Sequence, residues 1–159
     1  MLEFNSSGLL VPPFIINSTR DELEEYFSID SPGDIRKSLF NQYVKYTNDL
    51  KQMCGQVELK QWIDGSFVTK KPRPFDIDLV TFISLETAQV KEKELKDFIY
   101  PASSVKYGVD GYIVVIYPDG HKLNFAYQAD CSYWINQFDK TKPTKKRKRI
   151  AKGFLEIIV

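Results

Sequence analysis

The sequence predicts a single α+β domain, spanning 1–159, in which helices and strands bury a common core. Three observations support this fold class. Apolar residues recur at intervals of three or four over 34–53, which predicts a helix. Apolar and polar residues alternate over 57–63, which predicts a half-buried strand. A nearly continuous apolar run covers 76–83 and is typical of a strand that is buried on both faces.

The remaining elements follow from local patterns. Thr19–Glu22 has the form of a capping box, which predicts a short helix that ends near Phe27. Strands over Tyr112–Tyr117 and Lys122–Asp130 are predicted to pair across a turn at Pro118–Gly120. The other expected elements are an extended arm over 1–17, a turn-rich linker over 28–33, a charged helix over 86–98, a helical turn over 133–138 and a final strand or tail over 153–159.

Size and composition fit one folded unit. The chain has 159 residues and 43% of them are apolar, which is enough to build a hydrophobic core and argues against disorder. The arm and the first helices are expected over 1–55, and the core of the domain over 56–159. The formal net charge of +1 gives the whole molecule no strong attraction to polyanions. The single histidine, His121, argues against a histidine-rich zinc site and a histidine-based triad.

Asp76 and Asp78 are the residues best suited to chemistry. Carboxylates two positions apart on a strand point to the same face, where their like charges repel and burial adds a further cost. A divalent cation removes both costs, and oxygen ligands suit Mg²⁺ or Mn²⁺. Gly65 and Ser66 end the preceding strand, and their backbone N–H groups and hydroxyl are predicted to hold the β- and γ-phosphates of a nucleoside triphosphate.

The order of these features resembles the DNA polymerase β-like nucleotidyltransferase superfamily: a strand, Gly-Ser, a loop, and Asp-x-Asp at the start of the next strand. The segments WIDGSFVT (62–69), DIDLV (76–80) and KGFLEI (152–157) also resemble a small uncharacterised family of bacterial nucleotidyltransferase-like proteins. The resemblance runs roughly from Trp62 to the C-terminus, with weaker similarity in GLLVPP (8–13).

That resemblance implies a minimal palm-type fold, in which a mixed β-sheet is flanked by helices. It also implies a magnesium-dependent reaction that moves a nucleoside monophosphate from a triphosphate such as ATP to a hydroxyl on RNA, a protein or a small molecule. The superfamily includes toxin–antitoxin and phage-defence components, and the resemblance extends that setting to this chain.

A third metal-binding and catalytic carboxylate is also implied, on a later strand beside the Asp-x-Asp strand. Asp130 is the best match, because it ends a predicted strand and shares a face there with Asn124 and Gln128. Asp110 and Asp119 are weaker candidates, since each adjoins a glycine in turn-like sequence. The expected ligand set is therefore completed by Asp130.

Two alternatives to an active nucleotidyltransferase share some of these sequence features. Phe67, Val68 and Thr69 follow Gly-Ser where minimal nucleotidyltransferases often carry Arg-Gly. This departure favours a second hypothesis, in which a catalytically weak or inactive domain acts as a binding partner or regulator in a complex. A haloacid-dehalogenase-type phosphatase also uses Asp-x-Asp, but there an apolar strand precedes the pair, whereas here it follows.

A basic run over 140–152 has two interpretations. It is either a solvated tail or a surface that contacts the phosphates of a triphosphate or an RNA acceptor. Cys54 and Cys131 lack metal-ligand spacing. A reducing compartment is the simpler interpretation of the two cysteines, and a disulfide between them is the alternative. Met1–Phe14 does not have the form of a signal peptide, and no apolar run reaches membrane-spanning length. A cytoplasmic location without a membrane partner is therefore expected.

Overall fold

The computed structural model describes residues 1–29, 34–143, 145–146 and 148–159. Within these residues there are seven strands and six α-helices. The strands are β1 (Glu3–Phe4), β2 (Leu10–Val11), β3 (Ile15–Ser18), β4 (Lys60–Asp64), β5 (Asp78–Ser84), β6 (Asp110–Ile116) and β7 (Phe154–Ile158). The helices are α1 (Arg20–Glu24), α2 (Asp34–Cys54), α3 (Leu85–Val90), α4 (Glu92–Leu95), α5 (Ala102–Tyr107) and α6 (Asn124–Phe138).

Five of the strands form one mixed sheet in the order β3-β7-β4-β5-β6. The two outer pairs, β3 with β7 and β5 with β6, are parallel, whereas β4 is antiparallel to both of its neighbours. β1 and β2 form a separate antiparallel pair in the N-terminal arm. The predicted α+β class and the mixed sheet with flanking helices are therefore confirmed.

The sheet separates two apolar layers, because successive strand residues point to opposite faces. On one face Tyr43 and Tyr46 of α2 share an apolar cluster with Ile63 and Leu79. The opposite face holds a second cluster of strand and helix side chains, which are Trp62, Val80, Phe82, Val114, Phe138 and Phe154. Each fully buried side chain of this size stabilises the fold by roughly 1.5–3 kcal/mol, so both layers are needed.

The predicted N-terminal helices are present. Thr19 Oγ1 accepts a hydrogen bond of 3.1 Å from Glu22 N, and this cap begins α1. A π-helical turn over Glu25–Ile29 then carries the helical segment slightly beyond the expected end. α2 matches the predicted helix to within one residue, and Gly55 follows it with a positive φ of 63°. The part of the predicted linker over 30–33 lies outside the described residues.

The predicted strand Lys122–Asp130 is wrong. The chain leaves β6, turns at Pro118–Gly120 and enters α6 instead of returning as a hairpin strand. Tyr127, Cys131, Trp134 and Phe138 are spaced by four, three and four residues, and this helical stripe packs on the second apolar layer. The short apolar–polar alternation at the start of α6 concealed this longer period.

Other segments differ from expectation in their limits. The charged segment 86–98 is divided among α3, α4 and a 3₁₀ turn at Lys96–Phe98. β5 begins at Asp78 rather than at Asp76, and the alternating strand is shifted to Lys60–Asp64. The C-terminal segment is β7, which lies inside the sheet between β3 and β4.

Two further expectations concern the redox state of the cysteines and the presence of membrane-spanning segments. Cys54 and Cys131 are both described, and both are free thiols in the structure. Among the described residues, none of the helices has the length and apolarity needed to cross a membrane.

Candidate functional site

Carboxylates from three adjacent strands lie in a row at one end of the sheet. Asp64, the last residue of β4, pairs with Asp78, the first residue of β5. Asp78 in turn pairs with Asp110, the first residue of β6. Directly paired residues on neighbouring strands point to the same face. Asp76 precedes Asp78 by two residues, and all four acids line a cleft of about 1130 Å³.

Gly65 lets the chain pass very close to this row. Its φ is 89°, in the left-handed region that favours glycine, and a Cβ there would lie 2.8 Å from the carbonyl oxygen of Asp76. The same Cβ would lie 2.9 Å from the backbone nitrogen of Asp78. A side chain at this position would therefore push apart the end of β4 and the start of β5.

Ser66 holds Asp76 in place. Its hydroxyl donates to Asp76 Oδ1 at 2.6 Å, and its backbone N–H donates to the same oxygen at 2.9 Å. The Ser66 hydroxyl also accepts a hydrogen bond of 2.7 Å from Phe75 N. Ser66 is thus a positioning residue for Asp76, and contact between Gly65–Ser66 and phosphate stays a prediction.

Arg36 fixes the loop that follows Ser66 and was missed by sequence reasoning. It lies on α2 with 3% of its surface exposed and donates to the carbonyl oxygens of Phe67 at 2.7 Å, Thr69 at 2.6 Å and Lys71 at 2.5 Å. Its burial lowers the pKa of the guanidinium. The available signal was its position on the apolar face of the predicted helix, three residues before Leu39.

Two lysines from the basic run reach the acids. Lys142 Nζ lies 3.0 Å from Asp76 Oδ2 and 3.8 Å from Asp78 Oδ2, while 77% of its side chain remains exposed. Lys152 Nζ forms an ion pair with Asp64, and the two side chains are only 7% and 9% exposed. Neither lysine was singled out from the sequence, because each contact joins segments far apart in the chain.

The row of acids has a strong mutual repulsion. Burial, reinforced by the charge of Asp76 and more weakly by Asp64 and Asp110, raises the pKa of Asp78 to about 7. Burial likewise raises the pKa of Asp64 to about 6, although Lys152 pulls it back. Burial alone would raise the pKa of Asp76 too, but the hydrogen bonds from Ser66 and the contact with Lys142 lower it below its usual value.

The expected third carboxylate, Asp130, is elsewhere. It lies on α6 with an exposed side chain and does not line the cleft, because the segment is a helix rather than a strand beside β5. Asp110 occupies the position that the resemblance implied, on a strand next to the Asp-x-Asp strand. Asp119 is exposed in the turn before α6. Of these three acids, Asp110 is therefore the one beside Asp78, and the role of a third metal ligand stays a prediction.

The donor set fits a hard divalent cation. In the part of the chain that the structure describes, no three histidine, cysteine or acidic side chains are gathered closely enough to form a ready ion-binding group. The ammonium of Lys142, however, already stands between Asp76 and Asp78 as a cation. Carboxylate oxygens around such a position are the ligands that Mg²⁺ and Mn²⁺ prefer.

The basic run contributes one wall of the cleft. Lys140 pairs with Ala151 in an antiparallel bridge, and Thr141 N donates to Ile150 O at 2.8 Å, so the run forms a closed loop. Four of its basic side chains line the cleft, namely Lys140, Lys142, Arg149 and Lys152. Thr144 and Arg147 lie outside the described residues. These four side chains therefore belong to the site rather than to a detached tail.

Comparison with known proteins identifies a family that covers nearly the whole chain. The model of DUF6932, described as a family of unknown function, matches residues 2–158. No curated protein and no solved structure matches the chain.

Proposed function

Since the chain belongs to the DUF6932 family, whose function is unknown, we propose a function from the site itself: magnesium-dependent nucleotidyl transfer on a palm-type fold. One observation carries the proposal. Asp76, Asp78 and Asp110 lie at one end of two paired strands, beside a glycine turn that nothing larger than glycine fits. This arrangement supports the resemblance noted from the sequence, in which an Asp-x-Asp strand neighbours a strand with a third acid.

Asp76, Asp78 and Asp110 would hold the metal. When bound there, Mg²⁺ would offset the charge of a triphosphate and make an acceptor hydroxyl a better nucleophile. Asp76 is kept ionised and oriented by Ser66, so it is prepared to be a ligand before a metal arrives. A cation there would relieve the repulsion from neighbouring acids that, together with burial, raises the pKa of Asp78.

The basic side chains of the cleft, Lys140, Lys142 and Arg149, form a basic wall that suits the negative charge of a triphosphate. A triphosphate is polyanionic, and a purely acidic cleft would repel it. Lys140, Lys142 and Arg149 line the same cleft as the acids and supply positive charge there. Phosphate oxygens bind well to lysine and arginine, so metal and basic wall would share the triphosphate between them.

The transfer itself is a substitution at the α-phosphorus. The acceptor hydroxyl oxygen forms a bond to that phosphorus, and the bond from it to the oxygen shared with the β-phosphorus breaks. Pyrophosphate leaves with the electron pair of the broken bond. The hydroxyl proton passes to the Asp110 carboxylate and from there to solvent, because Asp110 lines the open cleft.

The test is transfer of label from α-³²P-labelled ATP, GTP, CTP and UTP in the presence of Mg²⁺. Bulk RNA, a protein lysate and the protein itself serve as acceptors. The wild-type protein is expected to label at least one acceptor, and Asp78→Asn and Asp110→Asn are expected to lose the labelling by about 10²-fold or more. γ-³²P-labelled triphosphate should give no label, since the γ-phosphate departs in pyrophosphate.

Asp130→Asn is the matched control, because it changes an exposed aspartate on α6 to the same amide. It is expected to keep wild-type labelling. Loss of labelling in Asp130→Asn, with Asp110→Asn fully active, would contradict the assignment of the third carboxylate. Equal labelling by wild type and Asp78→Asn would contradict the site.

The alternative of a non-catalytic binding module has one observation in its favour. Lys142 already partners Asp76, so the acids are partly compensated without a metal. In that case triphosphates with Mg²⁺ would leave the melting temperature unchanged, whereas a ligand that binds the folded enzyme raises it. A stable complex with another protein, formed equally well by Asp78→Asn, would then favour the module.

A further inference from the structure

Three aromatic side chains form a ladder on one side of the cleft, and we refer to Tyr100, Tyr112 and Trp134 as the aromatic wall. The ring centroids of Tyr112 and Trp134 are 4.4 Å apart, and those of Tyr100 and Tyr112 are 6.2 Å apart. All three line the same cleft as Asp78 and Asp110. The wall therefore belongs to the same cavity as the acids but presents flat apolar surface instead of charge.

The wall is directly connected to the acids through β6. Tyr112 follows Asp110 by two residues, so both side chains project from the same face of the strand. A ligand held at the acids would therefore have the wall beside it.

The rings of the wall differ from the core aromatics in their exposure. Trp62 is 3% exposed, packs between Phe82 and Phe154, and donates through Nε1 to Glu156, so all of its surface is used by the fold. Trp134 is only half-buried, and Tyr100 is 50% exposed. The wall thus keeps ring surface open to the cleft. A purely structural cluster would bury this apolar surface, because exposing it to water is unfavourable.

We propose that the aromatic wall binds the nucleobase of the triphosphate by stacking. This inference rests on the proposed function, because the metal and the basic residues would hold the phosphates while the wall receives the base. Every nucleobase has a flat π-face, so stacking binds bases with little selectivity among them. A simple organic cation would also favour aromatic rings beside acids, but the basic wall formed by Lys140, Lys142 and Arg149 disfavours it.

The proposal is tested by titration calorimetry with three probes on the full-length protein. Mg²⁺ with inorganic tripolyphosphate reports the metal and phosphate site alone, and adenosine without metal reports the wall alone. Mg²⁺ with ATP reports both. In the wild type, ATP is expected to bind roughly 5- to 150-fold more tightly than tripolyphosphate, the ratio that stacking of one base supplies.

Trp134→Leu and Tyr100→Leu are expected to bring this ratio towards one without changing the affinity for tripolyphosphate. Tyr100→Leu alters a half-exposed side chain, so it keeps the test decisive if Trp134→Leu fails to fold. Phe125→Leu is the matched control, since Phe125 is 67% exposed on α6 and does not line the cleft. It is expected to leave all three affinities as in the wild type.

The outcomes separate the two proposals. Equal binding of ATP and tripolyphosphate by the wild type, or a ratio that both wall variants leave intact, would overturn the wall while the metal site stands. Adenosine binding that Trp134→Leu abolishes, with no binding of Mg²⁺-tripolyphosphate, would support the wall and overturn the proposed metal site.

Discussion

Two lysine–aspartate pairs lie at the same row of acids and differ in almost every physical respect. Lys152 and Asp64 are buried, with side chains 7% and 9% exposed. Lys142 contacts Asp76 from a side chain that is 77% exposed. Both lysines come from the basic run and are ten residues apart. Lys152 lies just before the start of β7, whereas Lys142 lies in the preceding loop.

The difference separates a permanent counter-ion from an exchangeable one. Separating a buried ion pair leaves an uncompensated charge in the protein interior. This free-energy cost keeps Lys152 beside Asp64. An exposed pair is worth little and is screened by salt, so Lys142 can leave its position when a stronger cation arrives. The proposed metal at Asp76 and Asp78 would have to displace only the weak contact with Lys142, while Lys152 stays at Asp64.

The largest expected effect is on the buried pair. Lys152→Met should lower the free energy of unfolding by about 3–5 kcal/mol, because Asp64 is left buried and unpaired beside other acids. Urea denaturation followed by circular dichroism measures this change. The double variant Lys152→Met/Asp64→Asn should recover much of the loss. A single variant as stable as the wild type would show that the pair is not a permanent counter-ion.

An intermediate effect is expected at Asp78, which lies between the two pairs. Its pKa is raised to about 7 in the folded protein, so the native state holds a proton that the unfolded chain releases above its ordinary pKa near 3.8. The metal-free protein should therefore lose stability as pH rises from about 4 to 7 and carry the full cost above 7.

Asp78→Asn removes that contribution. The variant should be more stable than the metal-free wild type at pH 8 by about 1–3 kcal/mol, with a flatter dependence between pH 4 and 7. Denaturation across this pH range measures both quantities. Asp130→Asn should follow the wild-type curve, since Asp130 is exposed. If Asp78→Asn kept the wild-type slope, the raised pKa would not belong to Asp78.

The smallest effect on stability is expected at Lys142. Lys142→Ala should change the free energy of unfolding by no more than about 1 kcal/mol, yet it should tighten binding of Mn²⁺ several-fold because a competing positive charge is gone. Calorimetric titration with MnCl₂ measures the affinity. Lys45→Ala is the matched control, because Lys45 forms a similar exposed pair with Asp49 on α2. Weaker binding of Mn²⁺ by Lys142→Ala would contradict an exchangeable role.

Features that depend only on residues close together in the sequence were predicted from local patterns. α2 was predicted from its own periodicity, and the spacing of Asp76 and Asp78 predicted that both acids face one way. The strand expected at Lys122–Asp130 was wrong, because seven or eight residues of alternation do not distinguish a strand from the start of a helix. Because of that error the expected third carboxylate was placed at Asp130, which lies on α6 and outside the cleft.

The position of Asp110 beside Asp78 could not be predicted without the sheet. Its neighbour Gly111 gave it the appearance of a turn residue, whereas the parallel register of β5 and β6 sets it beside Asp78. β5 and β6 are joined by a long crossover with helices instead of a tight turn, so no local turn signal fixes their register.

By itself the sequence determined the composition of the site: paired acids, a glycine turn, a basic run and the periodic helix that supports them. Only the tertiary structure decided which acid completes the row, that Arg36 secures the loop after Ser66, and that Lys152 is buried while Lys142 is open. Residues close in sequence can be judged from chain geometry alone. Charges brought together across the fold depend on burial and distance, and those quantities exist only once the chain has packed.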